Sequence, residues 1–293
     1  MNHSGNVKKK FFRFRSNYCF IFFLAVFLCL ILPSSEIRAQ GNLLITPRRV
    51  VFEGTKRTQE LNLANTGQDS AKYNVSIIQY RMKEDGSFEE ITTPDPGQDF
   101  ADKYIRFFPR SVSLGPNEAQ VVKMQLTRTE GLAPGEYRSH VYFRAVPKET
   151  ALGEKSAVKD STALSVKLIP IFGITIPVII KVGQSTMKVT LSDLKLDVIN
   201  DTIPRLQLTF NRTGNMSVYG DIQVNHISPQ GKTTLVGTVK GIAVYTPNSI
   251  RRFIMELDRK AGVNYHSGTL HITYSAQPDP KPEKFTETDL PLK

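Results

Sequence analysis

Short runs of alternating apolar and polar residues, separated by turn residues, constrain the fold of this chain more than any other feature. Residues 73–78 and 121–126 alternate in this way, and the turn sequences Asn-Thr-Gly at 65–67 and Gly-Pro-Asn at 115–117 stand between such runs. A period of two sends successive side chains to opposite faces of a strand. No stretch keeps apolar residues at helical spacing between capping residues. The sequence therefore predicts an all-β chain of short strands.

The predicted strands form two groups, and each group has the size of an immunoglobulin-like sandwich. Roughly seven strands are expected on either side of a short linker at residues 183–186, and about seven is the strand count of that sandwich. We therefore predict one immunoglobulin-like domain over residues 41–182 and a second over residues 186–293. The regular spacing of the turns favours two sandwiches over a barrel of long hairpins.

Two segments near the end of the first predicted domain differ from the rest. Residues 147–161 are polar and charged around Gly153, and this composition predicts a long mobile loop. Residues 163–182 are strongly apolar, but Pro170, Gly173 and Pro177 interrupt them. Because proline fits poorly in a central strand, we predict two shorter strands that are hinged near residues 170–173.

The first 40 residues predict a secretory signal peptide that precedes the fold. Basic residues between Lys8 and Arg15 come before an apolar run at 18–32, and small residues follow up to Ala39. This order is typical of a signal peptide, and the apolar run is short for a membrane-spanning helix, which needs about 20 residues. We expect cleavage after Ala39 or Gln40, with an uncleaved anchor as the alternative.

Removal of this leader changes both the charge and the cysteine content of the chain. Six of the 38 basic residues and one of the 27 acidic residues lie in the leader, so the net charge falls from +11 to +6. No block of Lys and Arg remains that would indicate a nucleic-acid partner. Cys19 and Cys29 also lie in the leader. The exported chain therefore has no disulfide and no metal site built on thiolates.

The sequence contains no pattern that is typical of an enzyme. There is no Gly-rich phosphate loop, no nucleophile elbow and no serine–histidine–acid set. The histidines outside the leader lack the spacing of a helical metal site, and we expect them at the surface or half-buried: His140, His226, His266 and His271. We predict no catalytic residues, no cofactor, no metal and no small-molecule substrate.

Four segments, taken in order, resemble the periplasmic pilus-assembly chaperones, the PapD-like family. Residues 49–54 resemble the first strand of that family, and Leu61, Leu63 and Asn65 resemble its second. Residues 114–122 resemble its L-P-G…Q-x-V element. Residues 135–147 resemble the strand that ends at a proline before a long loop, and residues 163–177 stand where the family keeps its long seventh strand. The resemblance covers residues 43–182, whereas the second half is similar in architecture only.

The resemblance implies a mechanism and a partner. Such chaperones bind subunits of a pilus or other surface fibre whose own sandwich lacks one strand, and they lend a strand to fill the gap. Leu164, Val166 and Leu168 alternate after the predicted loop and are the candidates for the donated face, with ordinary sandwich core as the alternative. The implied location is the periplasm, with membrane contact only through the signal peptide. Participation of an outer-membrane usher is left open.

The family also holds the terminal carboxylate of the subunit with a paired Arg and Lys in the cleft between its domains. Arg49 aligns with that arginine, while Arg48 points to the opposite face if this segment is a strand. Counting back from Pro177, the position of the lysine falls on Pro170. The candidate anchors are therefore Arg49 and Lys167, which is three residues from Pro170.

A second hypothesis belongs to a different class of protein. A structural component of the cell envelope or surface could use the same fold without binding a client, since fold alone does not determine function. In that case residues 169–182 would simply be buried.

Overall fold

The computed structural model describes residues 42–127, 129–147, 170–200, 202–277 and 283–292. These residues form two immunoglobulin-like β-sandwiches, and the only helix among them is a short 3-10 turn, Asp102–Tyr104. None of them belongs to a helix that is long and apolar enough to span a membrane. The predicted all-β class is therefore confirmed, whereas the predicted leader at residues 1–40 lies outside the described residues.

The described part of the first sandwich contains ten strands. They are β1 (Leu43–Thr46), β2 (Val50–Phe52), β3 (Thr58–Asn65), β4 (Ala71–Met82), β5 (Phe88–Ile91), β6 (Ile105–Phe108), β7 (Ser111–Leu114), β8 (Ala119–Leu126), β9 (Gly135–Val146) and β10 (Gly173–Val182). One sheet has the order β1-β3-β8-β6. The other has the order β2-β10-β9-β4-β5, and β7 also pairs with β4.

Alternate side chains of these two sheets meet in one apolar core. Leu61 and Met124 enter it from the first sheet, and Phe143 and Val178 enter it from the second. All four side chains are fully buried. Face-to-face packing of this kind removes one face of each sheet from water, which is the main stabilising contribution in a sandwich without disulfides.

Seven strands make up the second sandwich over the residues that the structure describes. They are β11 (Lys188–Ile199), β12 (Ile203–Thr213), β13 (Val218–Ile227), β14 (Thr233–Val244), β15 (Ile250–Glu256), β16 (Gly268–Ala276) and β17 (Lys284–Leu292). The sheets have the orders β11-β12-β15 and β14-β13-β16-β17. Phe210 and Tyr274 pack edge to face at 4.9 Å in the core between them. The buried Tyr274 hydroxyl donates to the carbonyl oxygen of Ile242 at 2.8 Å, so this polar group is satisfied.

The two apolar cores share no residue and separate between Val182 and Met187. The chain from Gly41 to Lys293 nevertheless forms one compact unit. The domain limits at 41–182 and 186–293 therefore stay a prediction.

The predicted hinge before β10 is only partly covered by the structure. Strand β10 begins at Gly173, where the second of the two predicted short strands was expected. The first of them, and the predicted loop at 147–161 apart from Pro147, lie outside the described residues.

Candidate functional site

Over its first five residues, strand β10 has one edge that no described strand pairs with. On one side it pairs with β9 along its whole length, from Gly173 opposite Arg144 to Val182 opposite Gly135. On the other side β2 covers only Val178–Ile180. No other described strand pairs with residues 173–177 on that side. A sheet edge with free backbone N–H and C=O groups can pair with a strand of another chain.

The residues directly before β10 are apolar and exposed. Ile171 is 43% exposed and Phe172 is 45% exposed. The carbonyl oxygen of Phe172 still accepts a hydrogen bond from the backbone N–H of Ala145 at 2.9 Å, which continues the pairing with β9. The open edge therefore begins beside apolar side chains that contact solvent.

The predicted donated residues precede this point. Leu164, Val166 and Leu168 lie outside the described residues, and so does the predicted anchor Lys167. Their roles stay predictions.

Arg49 reaches the contact between the two sandwiches because of the register of β2. Val50 lies opposite Val178 in the parallel pair of β2 and β10, so Arg49 stands at the level of Pro177. Its neighbour Arg48 is exposed. Only one of the two arginines therefore faces the second sandwich.

The guanidinium of Arg49 lies against two tyrosines of the second sandwich. Its Cζ is 4.3 Å from the ring centre of Tyr219, and its Nη1 donates to the hydroxyl of Tyr245 at 3.2 Å. Arg49 is half-buried, and within the described ranges no carboxylate forms an ion pair with it. A partly desolvated cation without a counter-charge favours an anionic ligand.

Apolar side chains close the deeper part of the contact between the sandwiches. Met82 of β4 and Ile179 of β10 pack against Ala243 and Tyr245, and each of these four is at most 4% exposed. We call the space between the outer face of β4, β9 and β10 and the end of β14 the cleft.

A buried ion pair stands at the base of the cleft. The carboxylate of Glu136 accepts hydrogen bonds from the backbone N–H of Ser217 at 2.9 Å and from its hydroxyl at 2.5 Å. Arg138 Nη1 lies 3.3 Å from Glu136, and Nη2 donates to the carbonyl of Thr246 at 3.0 Å. Burial lowers the pKa of Arg138, and the nearby Glu136 opposes this. Because each charge is partnered across the contact, the pair holds the two sandwiches in one arrangement.

His140 stands on the same face of β9 and is 4% exposed. Its ring packs edge-on against Tyr80 at 5.1 Å and against Phe88 at 6.0 Å. Burial, with the charges of Arg138 and Arg49, lowers the pKa of His140 to about 3, so the ring is neutral near pH 7. Its Nδ1 has no hydrogen-bond partner among the residues described. The expectation of a surface or half-buried residue is wrong for His140, because Tyr80, Phe88 and the second sandwich surround it. It is also wrong for His226 of β13, which is 2% exposed.

A cavity of about 420 Å³ opens beside His140. Tyr80 and Phe88 contribute walls from the first sandwich, and Tyr245 and Arg251 contribute walls from the second. Of the described residues that line it, Arg251 alone carries a charge. The cleft thus joins an aromatic cavity to cations at its rim.

Most of these cleft residues were not identified from the sequence. The motif at 135–139 was noted, but not that Glu136, Arg138 and His140 share a face at a spacing of two. A spacing of two places the three side chains on one face of β9. Because Tyr137 and Val141 on the other face enter the core of the first sandwich, these three point away from it. Tyr219, Tyr245 and Arg251 carry no local signal, because only the folded chain brings them to β9.

No protein-family model matches this chain. No curated protein matches it significantly.

The chain is similar to several solved structures. The YadV chaperone is 13% identical with a TM-score of 0.44, over 85% of this chain and 100% of that one. The CupB2 chaperone of Pseudomonas aeruginosa is 13% identical with a TM-score of 0.38, over 84% of this chain and 98% of that one. A complex of the SafA pilin with the SafB chaperone of Salmonella enterica is matched at 14% identity and a TM-score of 0.39. The match covers 87% of this chain and 98% of that one. We draw no functional conclusion from likenesses of this size.

Proposed function

We propose that this protein is a periplasmic chaperone that binds incomplete sandwich subunits of a surface fibre and lends them a β-strand. The open edge of β10 carries the proposal. Residues 173–177 offer unpaired backbone groups, and the exposed Ile171 and Phe172 stand directly before them. An added strand gains backbone hydrogen bonds from such an edge, while alternate apolar side chains fill the groove of the client.

The donated face would consist of Leu164, Val166 and Leu168, which alternate in the sequence before this edge. Three alternate apolar residues suit a groove that lacks one strand, because side chains two residues apart point to the same face.

The cleft supports the second part of the proposal, which is an anchor for the terminal carboxylate of the client. Arg49 is half-buried there and stacks on Tyr219. A carboxylate at Arg49 would gain a charge-assisted hydrogen bond in a partly desolvated place. Lys167 remains a candidate for the second cation.

Two charge-introducing substitutions test strand donation. Leu164→Glu and Val166→Glu should abolish capture of fibre subunits from periplasmic extract, because a charge in an apolar groove costs several kcal/mol. Their melting temperatures should stay within about 4 °C of the parent, which corresponds to about 1 kcal/mol for a chain of this size. Pull-down with identification by mass spectrometry and thermal melts measure the two effects.

Leu235→Glu is the matched control for these variants. Leu235 is 43% exposed and lies near the start of β14, at the opposite end of that strand from Ala243 in the cleft. This variant should capture subunits like the parent protein. If Leu164→Glu and Val166→Glu instead unfold at much lower temperature, these residues are sandwich core. The structural role in the envelope would then be favoured.

A further inference from the structure

We propose that the cavity beside His140 receives the last side chain of the client, and that Arg251 joins Arg49 in binding the terminal carboxylate. The inference rests on the proposed function, because it requires the end of a client chain in the cleft. It assigns a substrate class: chains that end in an apolar residue with a free carboxylate.

The first step concerns the second cation. At the level of Arg49, strand β10 presents Pro177, which carries no charge. The next cation along β10, Lys181, lies 3.4 Å from Glu53 and is already paired. The described part of β10 therefore supplies no free positive charge beside Arg49.

Arg251 supplies a cation from the other side of the cleft. It lines the cavity and is half-buried. Its Nη1 donates to the carbonyl of Ala243, while its Nε has no hydrogen-bond partner among the residues that the structure describes. No described carboxylate lies within ion-pair distance of it, although Asp85 attracts it from further away. A half-buried guanidinium with an unpartnered Nε is stabilised when a carboxylate binds.

The second step concerns the walls of the cavity. The rings of Tyr80 and Phe88 lie 5.9 Å apart, and those of Phe88 and Tyr245 lie 6.1 Å apart. The volume of about 420 Å³ exceeds that of any single side chain and lies within the usual range of ligand pockets. An apolar or aromatic side chain would gain burial here. A positively charged side chain would lose its hydration beside the cation Arg251.

The third step joins the cavity to the open edge. Thr175 and Pro177 line the cavity and also belong to the part of β10 that β2 leaves unpaired. A client strand that pairs along this edge would therefore lie beside the cavity, with its end near Arg251.

Three peptides test the assignment on the full exported chain. Each consists of three Val-Thr repeats followed by a last residue: phenylalanine with a free carboxylate, phenylalanine amide, or lysine with a free carboxylate. We expect the phenylalanine acid to bind best by isothermal titration calorimetry. The amide should bind roughly ten- to hundredfold more weakly, since it lacks the charge-assisted hydrogen bonds. The lysine peptide should lose at least about tenfold, because its charged side chain would be desolvated beside the cation Arg251.

Two neighbouring arginines provide a matched pair of variants. Arg251→Gln should weaken binding of the phenylalanine acid by about tenfold or more and leave the amide unchanged. Arg252→Gln removes the same charge from an exposed side chain that pairs with Glu84 at 2.6 Å outside the cavity. It should leave both peptides unchanged. Thermal melts of both variants show whether each remains folded, and Arg251→Met, which also removes the charge, replaces Arg251→Gln if that variant does not.

The outcomes separate this inference from the proposed function. Equal affinity for the acid and the amide, or equal effects of Arg251→Gln and Arg252→Gln, overturns the inference while strand addition stands. Absence of binding by all three peptides contradicts the inference and the proposed strand addition together.

Discussion

Three polar side chains on one face of β9 determine the character of the cleft. Glu136, Arg138 and His140 alternate with core residues of the same strand, and all three are at most 4% exposed. Glu136 and Arg138 pair with each other and bond to the second sandwich, while Nε of Arg138 has no hydrogen-bond partner among the described residues. His140 avoids the cost of a buried charge by remaining neutral. One strand thus provides both the junction of the sandwiches and the wall of the cavity.

The depressed pKa of His140 predicts a pH dependence of stability. Between its ordinary value of 6.5 and about 3, the unfolded state binds a proton that the folded state does not. The free energy of unfolding therefore decreases as the pH falls below 6.5. His140→Gln removes this term, so the parent should lose about 2 kcal/mol more than the variant between pH 7 and pH 5.

Urea denaturation of both proteins at the two pH values measures this difference. Carboxylates elsewhere titrate in both proteins, so they cancel in the comparison. An identical loss in the parent and in His140→Gln would contradict the burial of an uncharged ring in the cleft.

At the residue scale, sequence reasoning depends on a local motif. The segment at 49–54 drew attention to Arg49, which lies against the second sandwich, while its role as an anchor stays a prediction. Tyr245 and Arg251 could not be found in this way, since they lie about 200 residues further along the chain. Only the packing of β14 and β15 places them at the cleft.

At the scale of elements, strands with clear alternation were predicted well. The alternating residues 73–78 and 121–126 lie within β4 and β8. No alternation indicates β5, because Glu89 and Glu90 interrupt the pattern there. It is a short strand at the edge of its sheet, paired only with β4, so its charged side chains can face water.

The turn between β4 and β5 fits closely against the second sandwich. Gly86 in this turn has a φ of +84°, and a Cβ there would lie 2.7 Å from Cζ of Arg251. Gly86→Ala should therefore displace the guanidinium in addition to straining the backbone. We expect it to lower the free energy of unfolding by about 1 kcal/mol more than the control variant, because the flexible guanidinium can shift but loses its hydrogen bond to Ala243.

Gly262→Ala is that control. Gly262 has a φ of +81°, and a Cβ there would meet nothing within 4 Å. Both variants share the backbone strain of a left-handed residue, about 1–2 kcal/mol. Their difference in urea denaturation therefore measures the contact with Arg251. Equal losses would mean that the turn moves away from Arg251 freely.

At the scale of the whole molecule, two independent cores are joined by a small mixed contact. The core of each sandwich uses only its own strands. The contact between the sandwiches consists of Met82, Ile179 and the pair of Glu136 and Arg138, which are all buried against the second sandwich. The number of sandwiches followed from counting strands, whereas this contact depends on side chains far apart in the sequence.

This arrangement predicts how the sandwiches behave when they are separated at the linker. Fragments 41–182 and 186–293 should each fold, because each retains its complete apolar core. Both should melt at lower temperature than the chain that joins them. The first fragment would expose Met82 and Ile179, at roughly 1.5–3 kcal/mol for each side chain, and would leave Glu136 without Ser217. Differential scanning calorimetry of the joined chain should give a single transition above those of the fragments. Two transitions at the temperatures of the fragments would show that the contact contributes little stability, and a fragment that fails to fold would show that the predicted boundary is wrong.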